Sequence, residues 1–136
     1  SLRAGGTRLR IEEGYDALLA GSRFHMDAFG IFKATARRIP ALVSGILDKA
    51  GLAREDITAI ACHQASGPGI EHMKRLFAPL GARVVNIFPT HGNQIATSIP
   101  TVLNHILDNK IAKRGDNILI LGAAAGVSLG AMALRL

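Results

Sequence analysis

Apolar residues recur at two different spacings along this chain, and the alternation between them predicts an α/β protein. From Ala28 to Ala50 they return every three or four positions, which is the signature of an amphipathic helix. Asp27 is the predicted N-cap of this helix, and Gly51 is its predicted C′ residue. Short continuous apolar runs at residues 56–62 and 117–121 instead indicate buried strands.

The remaining segments extend this pattern to the order β-α-β-α-β-α-β-β. We predict an edge strand at residues 7–11, helices at 70–80 and 95–109, and strands at 83–88 and 127–136. The last two strands leave no room for a helix between them, so we expect an antiparallel hairpin there. The whole order predicts a mixed, mostly parallel five-stranded sheet with helices packed on it.

Glycine and proline predict the connections between these elements. Apolar periodicity is lost over residues 12–23, and glycines recur in 67–69 and 122–126, so all three segments are predicted to be loops or turns. Residues 89–93 are predicted to form a turn. Pro100 predicts that the last helix either begins late or kinks early.

Composition limits the class of protein more than its function. With 136 residues and 49% hydrophobic content, the chain is predicted to be a single domain with an aliphatic core. Its net charge of +6 favours an acidic partner, but one Tyr, five Phe and no Trp offer little for bases to stack on, so we expect no nucleic-acid partner. A single cysteine, no apolar run of membrane-spanning length and no signal-peptide pattern predict a cytoplasmic protein without a membrane segment.

Two polar side chains stand where predicted strands end, at the edge of an α/β sheet where ligands bind. His63 follows the first buried strand, and its neutral imidazole could donate a hydrogen bond to an oxyanion or act as a base. Asn93 ends the turn after the strand at 83–88 and can donate two hydrogen bonds. Each also has an ordinary structural explanation: the histidine could bond a backbone carbonyl, and the asparagine could cap the next helix.

The two residues together predict more than either does alone. A neutral His and a neutral Asn at neighbouring strand ends would form an oxyanion hole for a thioester carbonyl and stabilise an enolate. The chain offers no matching nucleophile: Cys62 is adjacent to His63 and should point to the opposite face, so we predict that it packs against a helix. The other histidines lack metal-ligand spacing, so no metal site is predicted.

These motifs, taken in order, resemble the C-terminal half of β-ketoacyl-acyl carrier protein synthase III, a family of thiolase-fold condensing enzymes. They are His63-Gln64-Ala65, His91-Gly92-Asn93 continuing to Pro100, and a Gly/Ala loop running into Gly126-Val-Ser-Leu-Gly130. The resemblance covers nearly the whole chain. It implies that residues 1–136 are a single domain with the C-terminal half of a thiolase-like fold. The N-terminal half, with the nucleophilic Cys, would lie outside this chain.

The resemblance also implies a function in fatty-acid or related biosynthesis. The family Cys takes an acyl group from acyl-CoA, and the residues matched by His63 and Asn93 bind a malonyl thioester for decarboxylative Claisen condensation. The Ala125 backbone N–H would match a second oxyanion hole. Lys74 and Arg75, on the helix after His63, would dock an acyl carrier protein; their ordinary explanation is a solvated helix face. The family works as a homodimer without a cofactor, and this fragment alone would be inactive.

The chain departs from the family pattern in four places. Ser66 stands where an Asn is frequent, Pro68 where a carrier-docking Arg is typical, and Gln94 where a Thr is usual. Ala123–Ala125 replace a more glycine-rich loop. The departures leave open an acyltransferase that uses CoA thioesters, and the absent nucleophile leaves open a non-catalytic scaffold subunit.

Overall fold

The computed structural model describes residues 14–22, 27–78, 83–124 and 127–136. The helices are α1 (Tyr15–Ser22), α2 (Ala28–Ala50), α3 (Gly67–Phe77), α4 (Phe88–His91) and α5 (Ser98–Asp108), with 3₁₀ turns at Arg54–Asp56 and Ile95–Thr97. The strands are β1 (Ile57–Cys62), β2 (Arg83–Val84), β3 (Asn117–Ala124) and β4 (Ser128–Arg135). None of the helices in these ranges is both long and apolar enough to span a membrane.

The described strands form one mixed sheet in the order β2-β1-β3-β4. β1 is parallel to both of its neighbours, and the register of β1 with β3 ends at the pair Cys62 and Leu121. β3 and β4 form the predicted antiparallel hairpin, paired from Asn117 with Arg135 to Ala124 with Ser128. Because β1 and β3 run in the same direction, their carboxyl ends meet at one edge of the sheet, which we call the carboxyl edge.

Helices cover the two faces of this sheet, and each face has its own apolar core. On one face α2 and α3 bury Val43, Ile60 and Ile70 with the facing residues of β1 and β3. On the other face Val102 and Ile106 of α5 pack against the alternate residues of the same strands. The central strands are therefore buried on both sides, as their continuous apolar runs predicted.

The prediction for the long helix is confirmed at both ends. Asp27 caps α2 through its carboxylate, which accepts a hydrogen bond of 2.8 Å from the Gly30 amide. Gly51 ends the helix with a φ of 64°, in the left-handed region that favours glycine. Pro100 lies in the first turn of α5, so that helix begins late, after a 3₁₀ turn, rather than kinking.

Five predicted segments differ from the structure in type or length. The loop predicted at 12–23 contains helix α1, since Gly14 only precedes the helix and Gly21 lies in its last turn, where a glycine does not interrupt it. The turn predicted at 67–69 is the first turn of α3, capped by the Ser66 hydroxyl at 3.2 Å from the Gly69 amide, with Pro68 in the position that tolerates proline.

Two further corrections concern strand lengths. β2 has only two residues rather than six, because after one further backbone bond, from the Val85 amide to the Ile60 carbonyl oxygen, the chain bonds the Gln64 side chain instead of β1. β3 continues to Ala124, through part of the predicted loop, because Gly122 and Ala123 pair with β4.

The turn predicted at 89–93 is partly the short helix α4. The fifth predicted strand, at residues 7–11, lies outside the described residues, and the mixed α/β class is confirmed.

Candidate active site

His63 leaves β1 at the carboxyl edge and is held there by the backbone. Its amide donates a hydrogen bond of 3.0 Å to the Leu121 carbonyl oxygen of β3. The side chain is half-buried, and this desolvation lowers the pKa of His63 below its ordinary value of 6.5. Within the described part of the chain, neither ring nitrogen has a hydrogen-bond partner, so the carbonyl-bonded histidine that sequence left open is not found there.

Asn93 reaches the same edge from the segment that follows β2 and α4. Its Oδ1 accepts a hydrogen bond of 2.9 Å from the Ile95 amide, which closes a local turn and accounts for part of the capping role considered above. Its Nδ2 lies 3.5 Å from the carbonyl oxygen of Ala65, two residues after His63. The structure thus brings the segments of the two predicted site residues together.

Backbone strain marks the residue that Asn93 contacts. Ile95 has a φ of 54°, in the left-handed region that β-branched residues rarely adopt. Its side chain is 76% exposed, so packing within the described residues does not account for the strain. Strained, exposed positions of this kind cluster at functional sites.

Gln64 is the residue at this edge that sequence reasoning did not assign a role. It is fully buried, and its Nε2 donates to the carbonyl oxygens of Cys62 at 3.0 Å and Val85 at 3.2 Å. Its Oε1 accepts hydrogen bonds of 3.1 Å from the amides of both Ile87 and Phe88. The available signal was a long amide side chain directly after a buried strand, where it must find partners inside the protein.

An open apolar cleft lies beside His63, with an empty volume of about 630 Å³ that includes its open side. α2, α3, the end of β1 and the β3–β4 hairpin line it. Phe32 and His72 both line it and pack edge to face against each other, with ring centroids 5.2 Å apart. The cleft offers an apolar surface with imidazole groups, which suits a ligand with an apolar chain and a polar reacting end.

Cys62 also borders the cleft but is only 3% exposed and belongs to the core beneath α2 and α3. Burial raises the pKa of its thiol to about 12, so the thiol stays protonated near neutral pH. Its predicted packing role is confirmed, since it is a member of that core.

The remaining predicted site residues are more distant or not described. Lys74 lies about 10 Å along α3 from its first residue, at 1.5 Å per residue, and forms an ion pair of 2.8 Å with Glu71. Arg75 is exposed. Ala125 lies outside the described residues. Within the described ranges, no group of three or more His, Cys, Asp or Glu side chains is arranged to hold a metal ion.

Comparison with known proteins gives one consistent result. A family model described as the C-terminal part of 3-oxoacyl-[acyl-carrier-protein] synthase III matches residues 47–136. The chain is 36% identical over 113 residues to the β-ketoacyl-[acyl-carrier-protein] synthase III of Coxiella burnetii, covering 82% of this chain and 35% of that protein. It is 29% identical over 136 residues to the Chlamydia caviae protein of that name, covering 99% of this chain and 40% of the relative.

Solved structures agree with these relatives. The β-ketoacyl-[acyl carrier protein] synthase III of Thermus thermophilus matches with a TM-score of 0.76 at 29% identity, over 84% of this chain and 36% of that one. The Pseudomonas aeruginosa 3-oxoacyl-(acyl carrier protein) synthase III matches with a TM-score of 0.72 at 30% identity, over 82% of this chain and 35% of that one. The predicted thiolase-like fold class is confirmed, and the chain spans well under half the length of the relatives it matches.

Proposed function

Because this chain belongs to the family of 3-oxoacyl-[acyl-carrier-protein] synthase III C-terminal domains, we propose that it supplies the malonyl-binding half of a decarboxylating condensing enzyme. The observation that carries the proposal is the meeting of the His63 and Asn93 segments at the Ala65 carbonyl oxygen. Its substrates would be an acyl-CoA and a malonyl thioester on an acyl carrier protein. Its partner would be an N-terminal half that carries the nucleophilic Cys, in a homodimeric enzyme.

In the proposed reaction, the missing Cys thiol first takes the acyl group and releases CoA. His63 Nε2–H and one Asn93 N–H then donate hydrogen bonds to the thioester carbonyl oxygen of the malonyl group. Loss of CO₂ leaves the electron pair on the α-carbon as an enolate, whose oxygen carries the negative charge that these donors stabilise. The α-carbon attacks the acyl carbonyl, a carbon–carbon bond forms, and the Cys leaves as a thiolate.

The electrostatics at His63 support this assignment. Because burial lowers its pKa, the ring is neutral near pH 7 and one nitrogen keeps its hydrogen as a donor. A neutral donor stabilises the enolate without giving up its proton. The buried, protonated Cys62 supports placing the nucleophile outside this chain.

The proposal is tested by two measurements. The full-length protein should release CO₂ from a malonyl thioester and form a covalent acyl adduct on a Cys outside this chain. The fragment alone, incubated with acyl-CoA, should show no acyl adduct on Cys62 by mass spectrometry. A turning-over adduct on Cys62, or a full-length protein that neither decarboxylates nor takes up acyl groups, would contradict it; the latter result would favour a scaffold subunit.

A second candidate differs only in the carrier of the thioester. Exposed Pro68 lies in the first turn of α3, at the position where the resemblance expects a carrier-docking Arg, and offers no charge to an acidic carrier. This favours an acyltransferase that accepts CoA thioesters. Comparing kcat/KM for malonyl-CoA and malonyl-carrier protein separates the two, since carrier dependence requires a clear preference for the protein-bound substrate.

A further inference from the structure

Gln64 uses every hydrogen-bonding position of its carboxamide. The group has two N–H donors and one oxygen with two lone pairs. The donors bond the carbonyl oxygens of Cys62 and Val85, and the oxygen accepts from the Ile87 and Phe88 amides. A fully buried side chain thus substitutes for the backbone ladder that β2 would have formed had it continued.

These bonds join the two segments that carry the proposed site. Cys62 directly precedes His63, while Val85–Phe88 lead into α4 and then to Asn93. Val85 N also donates to Ile60 O at 3.1 Å, and beyond this point the Gln64 carboxamide holds the chain against β1. The Gln64 carboxamide therefore helps to set the separation between His63 and Asn93, together with the contact of Asn93 Nδ2 with the Ala65 carbonyl oxygen.

We propose that Gln64 is a positioning residue, which fixes His63 and Asn93 at the spacing needed to bind one thioester oxygen. The inference rests on the proposed function of those two residues. Gln64 does not touch the substrate. It acts by holding the backbone on both sides of the site in one arrangement.

Few other side chains could perform this task. Asparagine is one methylene shorter and would not span the same gap. Methionine has a similar length but would remove this partner from the Cys62 and Val85 carbonyls and from the Ile87 amide, while the Phe88 amide would keep its bond to Asn86 Oδ1. Glutamate keeps the acceptor oxygens but, when ionised, has no hydrogen to donate to the Val85 and Cys62 carbonyls.

The test compares Gln64→Met and Gln64→Glu with a control, Leu47→Ala, in the full-length protein. Leu47 is buried near the end of α2 and lines a small cavity with Ile57 at the start of β1, so its truncation lowers stability away from the Gln64 contacts. Both half-reactions are measured per folded molecule. We expect Gln64→Met to slow decarboxylation by about 10- to 100-fold while Cys acylation changes little, and Leu47→Ala to leave both rates unchanged.

The Gln64→Glu variant adds a readout that lost stability alone would not move. Burial raises the pKa of such a carboxyl, and its protonated form regains one donor. The decarboxylation rate of this variant relative to the wild type should therefore rise as the pH falls, whereas that of Gln64→Met should stay constant. Equal loss of both half-reactions in every Gln64 variant, with a flat pH ratio, would overturn the positioning role.

A separate measurement distinguishes failure of this inference from failure of the proposed function. Hydrogen exchange of the Ile87 amide reports the Gln64 contact without any turnover; the Phe88 amide also reaches Asn86 Oδ1 at 3.1 Å and is less specific. If the wild type shows no decarboxylation, the proposed function fails, and the positioning role falls with it. If the wild type is active and Ile87 exchanges no faster in Gln64→Met, the positioning role fails alone.

Discussion

The Nδ2 atom of Asn93 lies 3.5 Å from the carbonyl oxygen of Ala65, across 28 residues of sequence. This contact and the Gln64 bonds hold Asn93 against the backbone of the residues around His63. An amide nitrogen has two hydrogens, and the Ala65 contact needs only one of them. The other can serve a substrate oxygen while the first keeps the side chain oriented.

Replacing Asn93 tests this division of roles. In the full-length protein, we expect Asn93→Ala to reduce malonyl decarboxylation by about 100- to 1000-fold, the usual effect of removing one oxyanion donor. Acylation of the nucleophilic Cys should change little, because Asn93 is assigned to the malonyl carbonyl. Asn104→Ala is the control, since exposed Asn104 bonds Asp108 on the outside of α5. Equal loss of both half-reactions would contradict the assignment.

The lowered pKa of His63 predicts a specific dependence of stability on pH. The unfolded chain titrates near 6.5 and the folded site titrates lower, so below about pH 6.5 the unfolded state binds more protons. Above about pH 6.5 the titration of His63 therefore leaves the free energy of unfolding unchanged, and as the pH falls through the folded pKa it lowers that free energy. Urea unfolding of the wild type and His63→Gln at several pH values checks this, because the variant lacks the titrating group.

In that comparison, the wild type should lose stability relative to His63→Gln only on the acidic side. A difference that stays constant with pH, or one that grows above pH 7, would be inconsistent with a desolvated neutral ring. A direct NMR titration of the His63 ring should give a pKa below 6.5.

Cys62 should react only slowly with thiol reagents in the native protein. It is 3% exposed, and its thiol pKa of about 12 leaves almost no thiolate at pH 8. We expect reaction with a thiol reagent at pH 8 to be slow in buffer and fast in urea, when the core opens. Rapid labelling of Cys62 in the folded protein would show that the thiol is more accessible than this core allows. Cys62 would then again be a candidate nucleophile.

The sequence predicted the parts of the fold that local chemistry controls. The bounds of α2 followed from apolar periodicity between Asp27 and Gly51, and the hairpin followed from the short connection between β3 and β4. The segments of His63 and Asn93 meet, as the sequence led us to expect, while the roles of the two residues stay predictions. These features depend on neighbouring residues, so a pattern along the chain is enough to show them.

Other features depend on contacts distant in sequence, and the pattern missed them. The run at 83–88 is apolar enough for a strand, but Gln64 binds its backbone and ends β2 after two residues. Buried Val85 and Ile87 kept the apolar signature of a strand without its pairing. Helix α1 was missed because glycines at its ends obscured a short helical segment between them.

The basic residues of α3 should contribute unequally to carrier docking. Glu71 pairs with Lys74 at 2.8 Å and partly neutralises it, whereas Arg75 is exposed. We expect Arg75→Glu to raise the KM for a malonyl-carrier protein more than Lys74→Glu does, with kcat nearly unchanged and the effect shrinking at high salt. Lys113→Glu, before the start of β3 and so at the opposite edge of the sheet, should leave KM unchanged. Equal effects of all three would indicate only nonspecific charge attraction.

The Asp27 cap should stabilise the wall of the cleft as well as the helix it begins. Its carboxylate bonds the Gly30 amide at 2.8 Å, and Phe32, within the first turns of α2, lines the cleft. We expect Asp27→Ala to lower the free energy of unfolding by about 0.5–2 kcal/mol and Asp27→Asn to retain most of it, since asparagine caps equally well. Asp48→Ala, near the other end of α2, should not destabilise, because a negative charge there opposes the helix dipole. If the two alanine variants unfold at the same urea concentration, the cap contributes nothing, and the wall of the cleft must be held by the packing of α2 alone.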